Sequence, residues 1–229
     1  MNNKMFLCIY NFFYKLLKDY FIKKYKSELL ESAAFHKNHS KEIVKELEIH
    51  RLPVPLQIKF KEQNDIISKF GCYFLCILFI ALVVKEIKNG VEKCFDCFEI
   101  DLLFKGLVNK SCLRGDNAYV NSPNSIFVNL GIDEDIYFDE KHYPSSYVPE
   151  KSDILIGKFK DTNSSYYHFV LLDNDRSVIW DSLGNSKTVS NGSLDSLRVF
   201  KIQNKAIVDR IKARLEFYNE KFRNNLEVA

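Results

Sequence analysis

Glycine and proline are scarce in this chain, 8 and 5 among 229 residues, and no Gly/Ser-rich or repetitive stretch occurs. That composition excludes a collagen-like or linker protein, and with 46% hydrophobic residues it also argues against disorder. There is no excess of one charge: 33 basic residues stand against 30 acidic ones, mixed along the chain, for a net +3. A nucleic-acid partner is therefore not expected. The longest uncharged apolar stretch, Gly71–Val84, lies between Lys69 and Lys85. It falls short of the roughly 20 residues a membrane-spanning helix needs and reads as a buried core helix. Six cysteines (Cys8, Cys72, Cys76, Cys94, Cys97, Cys112) are too few for a disulfide scaffold at this length. Reduced thiols and a cytoplasmic location are the expectation. Neither a phosphate-cradling glycine loop nor a dinucleotide fingerprint is present, so no cofactor is expected.

What the chain does have is helical periodicity first and strand alternation later. From Phe6 to Leu30 apolar residues recur at helical spacing, through Ile9, Tyr10, Phe13, Leu16 and Leu17 to Tyr20, with lysines opposite. This is a basic amphipathic helix. It either packs on the main domain or uses residues 1–30 to meet a membrane surface or a protein partner. Lys15 interrupts its apolar patch and no small-residue cleavage site follows, unlike a secretory leader. A second short helical piece, Lys41–Glu48, ends at Pro53 and Pro55. Residues 1–52 thus read as a helical appendage, 53–203 as the main domain and 204–229 as a C-terminal helix.

Within the main domain a short strand is expected at Gln57–Phe60, then the long helix from Cys72 and another over 96–107. Ser122 as N-cap, Pro123 at the first helical position and Gly131 as the stop define a short helix. Alternation then predicts strands at 136–138, 154–159, 166–173, 177–182 and 197–202. Helices followed by an antiparallel sheet make an α+β fold.

Chemistry concentrates in YYHFVLLDNDRSVIWDSLG, residues 166–184. Two alternating runs flank Asn174-Asp175, residue types suited to a tight turn. A two-residue loop there puts His168 directly opposite Asp181 on one face and Phe169 opposite Trp180 on the other. A carboxylate beside an imidazole fixes its tautomer and stabilises its charged form, as a general base requires. The apolar helix meanwhile opens on Gly71-Cys72, and a helix N-terminus favours the anionic form of a thiol. Cys72, His168 and Asp181 are then candidates for nucleophile, base and orienter.

The order Gln63, Gly71-Cys72, His168-Phe169-Val170 and Trp180-Asp181 resembles that of the papain-like cysteine peptidase superfamily. Within it the chain is most similar to bacteriocin-leader-processing peptidases and phage endopeptidases. QNDIISKFGCYFLC and the later IWDSLG also resemble an uncharacterised spirochaete plasmid or prophage family. The resemblance covers roughly residues 56–203. It implies a papain-like fold and a peptidase or amidase acting on a peptide, protein or peptidoglycan-type substrate. It also implies that Gln63 shares an oxyanion hole with the Cys72 N–H. Gln63 stands farther from the cysteine than papain's glutamine does, and Asn64 is the substitute.

The other reading of Cys72 is a core thiol, as Cys76 one turn on is expected to be. The protein would then be an inactive papain-like binding module working through its N-terminal helix. Cys94 and Cys97 form a CxxC, but no second pair at zinc spacing completes it. His36 and His39 lie in a polar connection and read as solvated.

Overall fold

The computed structural model describes residues 52–227 apart from Lys93. The expectations for the N-terminal appendage and its basic helix lie outside the described residues. The chain divides into two units at Arg51 and Leu52, and the second, Leu52–Ala229, carries the described structure.

That unit is α+β. Asp65–Phe70 (α1) runs almost directly into Cys72–Asn89 (α2), and Cys97–Asn109 (α3) and Pro123–Leu130 (α4) follow. Five strands come next: Ile136–Pro144 (β1), Asp153–Lys160 (β2), Tyr167–Leu172 (β3), Val178–Asp181 (β4) and Ser193–Ile202 (β5). A single turn, Lys187–Ser190 (α5), interrupts the strands, and Val208–Glu227 (α6) closes the chain. The sheet is antiparallel with order β1-β5-β2-β3-β4. The short β4 is therefore an edge strand.

The central helix α2 is buried at Phe74 through Val84 without a break. A helix apolar all round belongs inside a protein, and α2 lies between the sheet at β3 and the helices α4 and α6. Helix α6 joins this core through Ile211, Leu215, Tyr218 and Phe222, spaced along one face. On the opposite side of the sheet Leu155, Val170, Leu172, Leu197 and Val199 form a smaller cluster, covered by Tyr143, Tyr147 and Val189. No helix among the described residues is long and apolar enough to cross a membrane.

Sequence and structure agree closely where local chemistry is explicit. Helix α4 has Ser122 as its cap, Pro123 first and Gly131 left-handed at φ 72°. The expected strand at Gln57–Phe60 is instead a 3-10 turn. Gln57 and Phe60, three apart, are both buried, while Ile58 between them is 57% exposed. Burial at a spacing of three is that of a tight helical turn, which four residues cannot distinguish from alternation.

Candidate active site

Residues before Cys72 determine where α2 starts. Asn64 caps α1, accepting the Ile67 N–H at 3.0 Å. The α1 ladder ends when Gly71 N–H donates to the Ile67 carbonyl, and the next link is Leu75 N–H to Gly71 O, at 2.8 Å. In a continuous helix Cys72 N–H would use the Ser68 carbonyl. That carbonyl accepts Gln57 Nε2 instead, at 3.0 Å. Glycine is required at the joint because a Cβ on Gly71 would stand 2.5 Å from the Ile67 carbonyl oxygen. Cys72 is consequently the first residue of a new helix, where backbone N–H groups lack partners in the helix.

Gln57 is buried, 1% exposed, and engaged at both ends. Its Oε1 accepts Ser182 Oγ–H at 2.8 Å, and its backbone N–H donates to Ser182 O at 2.7 Å. The residue thus ties α1, just ahead of α2, to the residue that follows β4, next to Asp181.

The β3–β4 hairpin brings His168 and Asp181 together by a route different from the expected one. The loop has three residues, not two: Asp173 and Ser177 close it, at 2.9 Å, with Arg176 left-handed at φ 72°. A second irregularity follows, since Leu172 pairs with Val178 but Leu171 pairs with Trp180. Asp181 is therefore opposite Val170 rather than His168, and Trp180 is opposite Leu171 rather than Phe169. The two one-residue shifts add to two, which restores the parity of the strand. Asp181 stays on the His168 face as a diagonal neighbour, and His168 Nε2 meets Asp181 Oδ1 at 2.7 Å.

Asp181 is a fully occupied acceptor. Besides His168, its Oδ1 takes Leu183 N–H at 2.8 Å and its Oδ2 takes Ser186 N–H at 2.9 Å. Burial pushes its pKa up, but the hydrogen bond and charge of His168 and these two amides outweigh it and hold the carboxyl below the ordinary range. His168 is completely buried. Burial pushes its pKa down, yet hydrogen bonding to Asp181 and Cys72, and the charges of both, hold it up at about 9. The Nδ1 atom has no hydrogen-bond partner among the described residues. Because Asp181 occupies Nε2, Nδ1 is the nitrogen left for Cys72.

Cys72 is 7% exposed and lines a cavity of about 520 Å³ with Tyr73, Tyr119, Tyr166, Phe169 and Arg198. Cys76 is fully buried and donates to the Phe169 carbonyl at 3.6 Å; burial and the neighbouring Cys72 and Asp181 raise its pKa. It is a core thiol.

The structure does not bring Gln63 into this group. It is exposed in the turn before α1 and does not line the cavity. Asn64 is committed to its cap and to Asp101 Oδ1, at 2.7 Å. The glutamine bonded to the helical turn just before Cys72 is Gln57, which the sequence places in a strand. A buried glutamine at the head of a tight turn was the only signal for it.

Over residues 57–202, most of its length, the chain matches the family described as "Protein of unknown function, DUF261", and it belongs to that family. No curated protein and no solved structure matches it.

Proposed function

We propose that this DUF261 member is a cysteine hydrolase of papain-like arrangement, a peptidase or amidase that cleaves a peptide, protein or peptidoglycan-type amide. The Cys72 thiol first gives its proton to His168 Nδ1, and Sγ then bonds to the carbonyl carbon. The carbonyl oxygen becomes an oxyanion held by the Cys72 N–H and by the second Nε2 hydrogen of Gln57, which takes the role first given to Gln63. Collapse expels the amine, which leaves with the proton from His168. Water then attacks the thioester, giving a proton to His168 and releasing the carboxylic acid. The thiol recovers that proton. Asp181 keeps the imidazole oriented throughout and stabilises its charged form.

One observation carries the reading: a buried histidine with a carboxylate fixed on Nε2, its Nδ1 left without a partner, and a neighbouring thiol, Cys72, that lines a cavity. A core cysteine needs neither partner. The test is alkylation of the full chain by limiting iodoacetamide at pH 6, with peptide mapping by mass spectrometry. Cys72 should be modified before the more exposed Cys94 and Cys97, and His168→Ala should abolish that preference. Modification of Cys72 at or below the rate of those two cysteines would refute the assignment.

A further inference from the structure

The cavity beside Cys72 has an unequal charge. Lys69, His142, Lys158 and Arg198 line it, and among the described residues no Asp or Glu does. Lys69 is paired at the surface with Asp65, at 2.7 Å. Arg198 is different. It is only 8% exposed, and among the described residues no carboxylate lies within ion-pair distance of it. Its two hydrogen bonds both run through Nη1, to Ser196 Oγ at 3.2 Å and Leu197 O at 3.3 Å. The Nη2 and Nε donors are left for the cavity.

The nearest acidic group is Asp195, which reaches Arg198 only through the Ser196 hydroxyl, at 3.0 Å, and is itself paired with Lys158 at 3.3 Å. One carboxylate thus serves two cations. The surplus is felt nearby: burial and the charges of Arg198 and Lys158 depress the pKa of His142, which pairs across the sheet with Arg198. An arginine buried without its counter-ion is costly unless something else supplies one. A guanidinium with free donors is also the side chain best matched to a carboxylate, which it binds in a two-pronged fork. Much of the remaining wall is aromatic, and Tyr119 and Tyr166 are substantially exposed at it.

We infer that this cavity holds a carboxylate-bearing part of the substrate, with Arg198 as its ligand, Lys158 in support and an aromatic wall for the neighbouring group. The inference rests on Cys72 being the nucleophile and specifies what is presented to it. A chain-terminal carboxylate and an acidic side chain share this chemistry.

The experiment is a ¹⁵N chemical-shift titration of the full chain carrying Cys72→Ala. The probes are N-acetyl-L-phenylalanine, N-acetyl-L-phenylalaninamide and N-acetyl-L-glutamic acid 1-amide. At least one acid should saturate shifts at the cavity residues with an affinity tenfold or more above that of the neutral amide, and the tighter acid identifies the source of the carboxylate. Arg198→Gln should remove the preference, and Lys158→Gln should reduce it. The comparison of acid with amide stands with Arg198 intact, so it is decisive even where a variant folds poorly. Equal affinity of acids and amide, or no saturable shift with either acid, overturns the inference. Catalysis is not read in this protein: sluggish Cys72 in the alkylation test counts against the nucleophile, and acid–amide equality counts against the anion site.

Discussion

Replacing Asp181 by Asn should flatten one specific stretch of the pH–stability curve. Burial pushes His168 down, but Asp181 and Cys72, with the Asp181 hydrogen bond the largest raising cause, lift it from an ordinary value of 6.5 to about 9 in the folded protein. A group whose pKa is raised on folding stabilises the native state fully below its unfolded pKa and loses that contribution as pH climbs through the folded one. At about 1.4 kcal/mol per pKa unit, the contribution is on the order of 3 kcal/mol, present at pH 6 and largely gone above pH 9. The slope between those limits cannot exceed about 1.4 kcal/mol per pH unit, because one proton is involved. Asn keeps an acceptor but no charge, and its amide would oppose one of the N–H groups of Leu183 and Ser186 that Asp181 now accepts. An unpaired buried amide costs a further ~1–3 kcal/mol, independent of pH. The assay is urea unfolding followed by tryptophan fluorescence, which Trp180 reports from the core, at half-unit steps from pH 6 to 9. The wild type should lose stability across this window, and Asp181→Asn should be weaker overall with a clearly shallower decline, the part that Cys72 supplies remaining. If the variant keeps the wild-type decline, Asp181 does not hold the imidazole and the reasoning fails.

Four further substitutions separate chemistry from packing. Cys72→Ala should abolish hydrolysis with little change in urea midpoint, whereas the buried Cys76→Ala should retain turnover and cost about 1 kcal/mol. Gln57→Ala leaves the Ser68 carbonyl and the Ser182 hydroxyl without their partner, so urea unfolding should register a loss of about 2–4 kcal/mol. Gly71→Ala should cost about 1–3 kcal/mol, because its Cβ meets the Ile67 backbone and side chain with no room to yield, and the displaced joint should slow Cys72 alkylation as well.

How much of this could be read from residues alone follows from which interactions are local. Ser122, Pro123 and Gly131 fix α4 because caps act within a few residues of themselves. The run 71–84 could be placed in the core because a continuous apolar stretch too short for a membrane has few other places to go. The hairpin illustrates what alternation can and cannot carry. Asn174-Asp175 suggested a two-residue turn, but Arg176 takes the left-handed position that closes a longer one, a conformation no arginine advertises. The displaced pair at Leu171 and Trp180 leaves no trace in the sequence either. Register was therefore misread by two residues, yet the shared face of His168 and Asp181 survived, because a face depends only on odd or even.

Glutamine shows the opposite case. Chain distance to Cys72 favoured Gln63, but which glutamine is held just ahead of α2 depends on how a turn folds back. Gln57 does so by taking the Ser68 carbonyl and gripping Ser182, contacts eleven and 125 residues away along the chain. Arg198 is more remote still: an arginine on a strand reads as solvated until the surrounding elements bury it beside Cys72 without a carboxylate of its own. Neighbours in sequence thus position Cys72 and His168, while the groups that on the proposed reading would hold the oxyanion and select the substrate are supplied by long-range packing. On that reading a variant sequence that keeps Gly71-Cys72, His168 and Asp181 would still lose hydrolysis through Gln57 or Arg198.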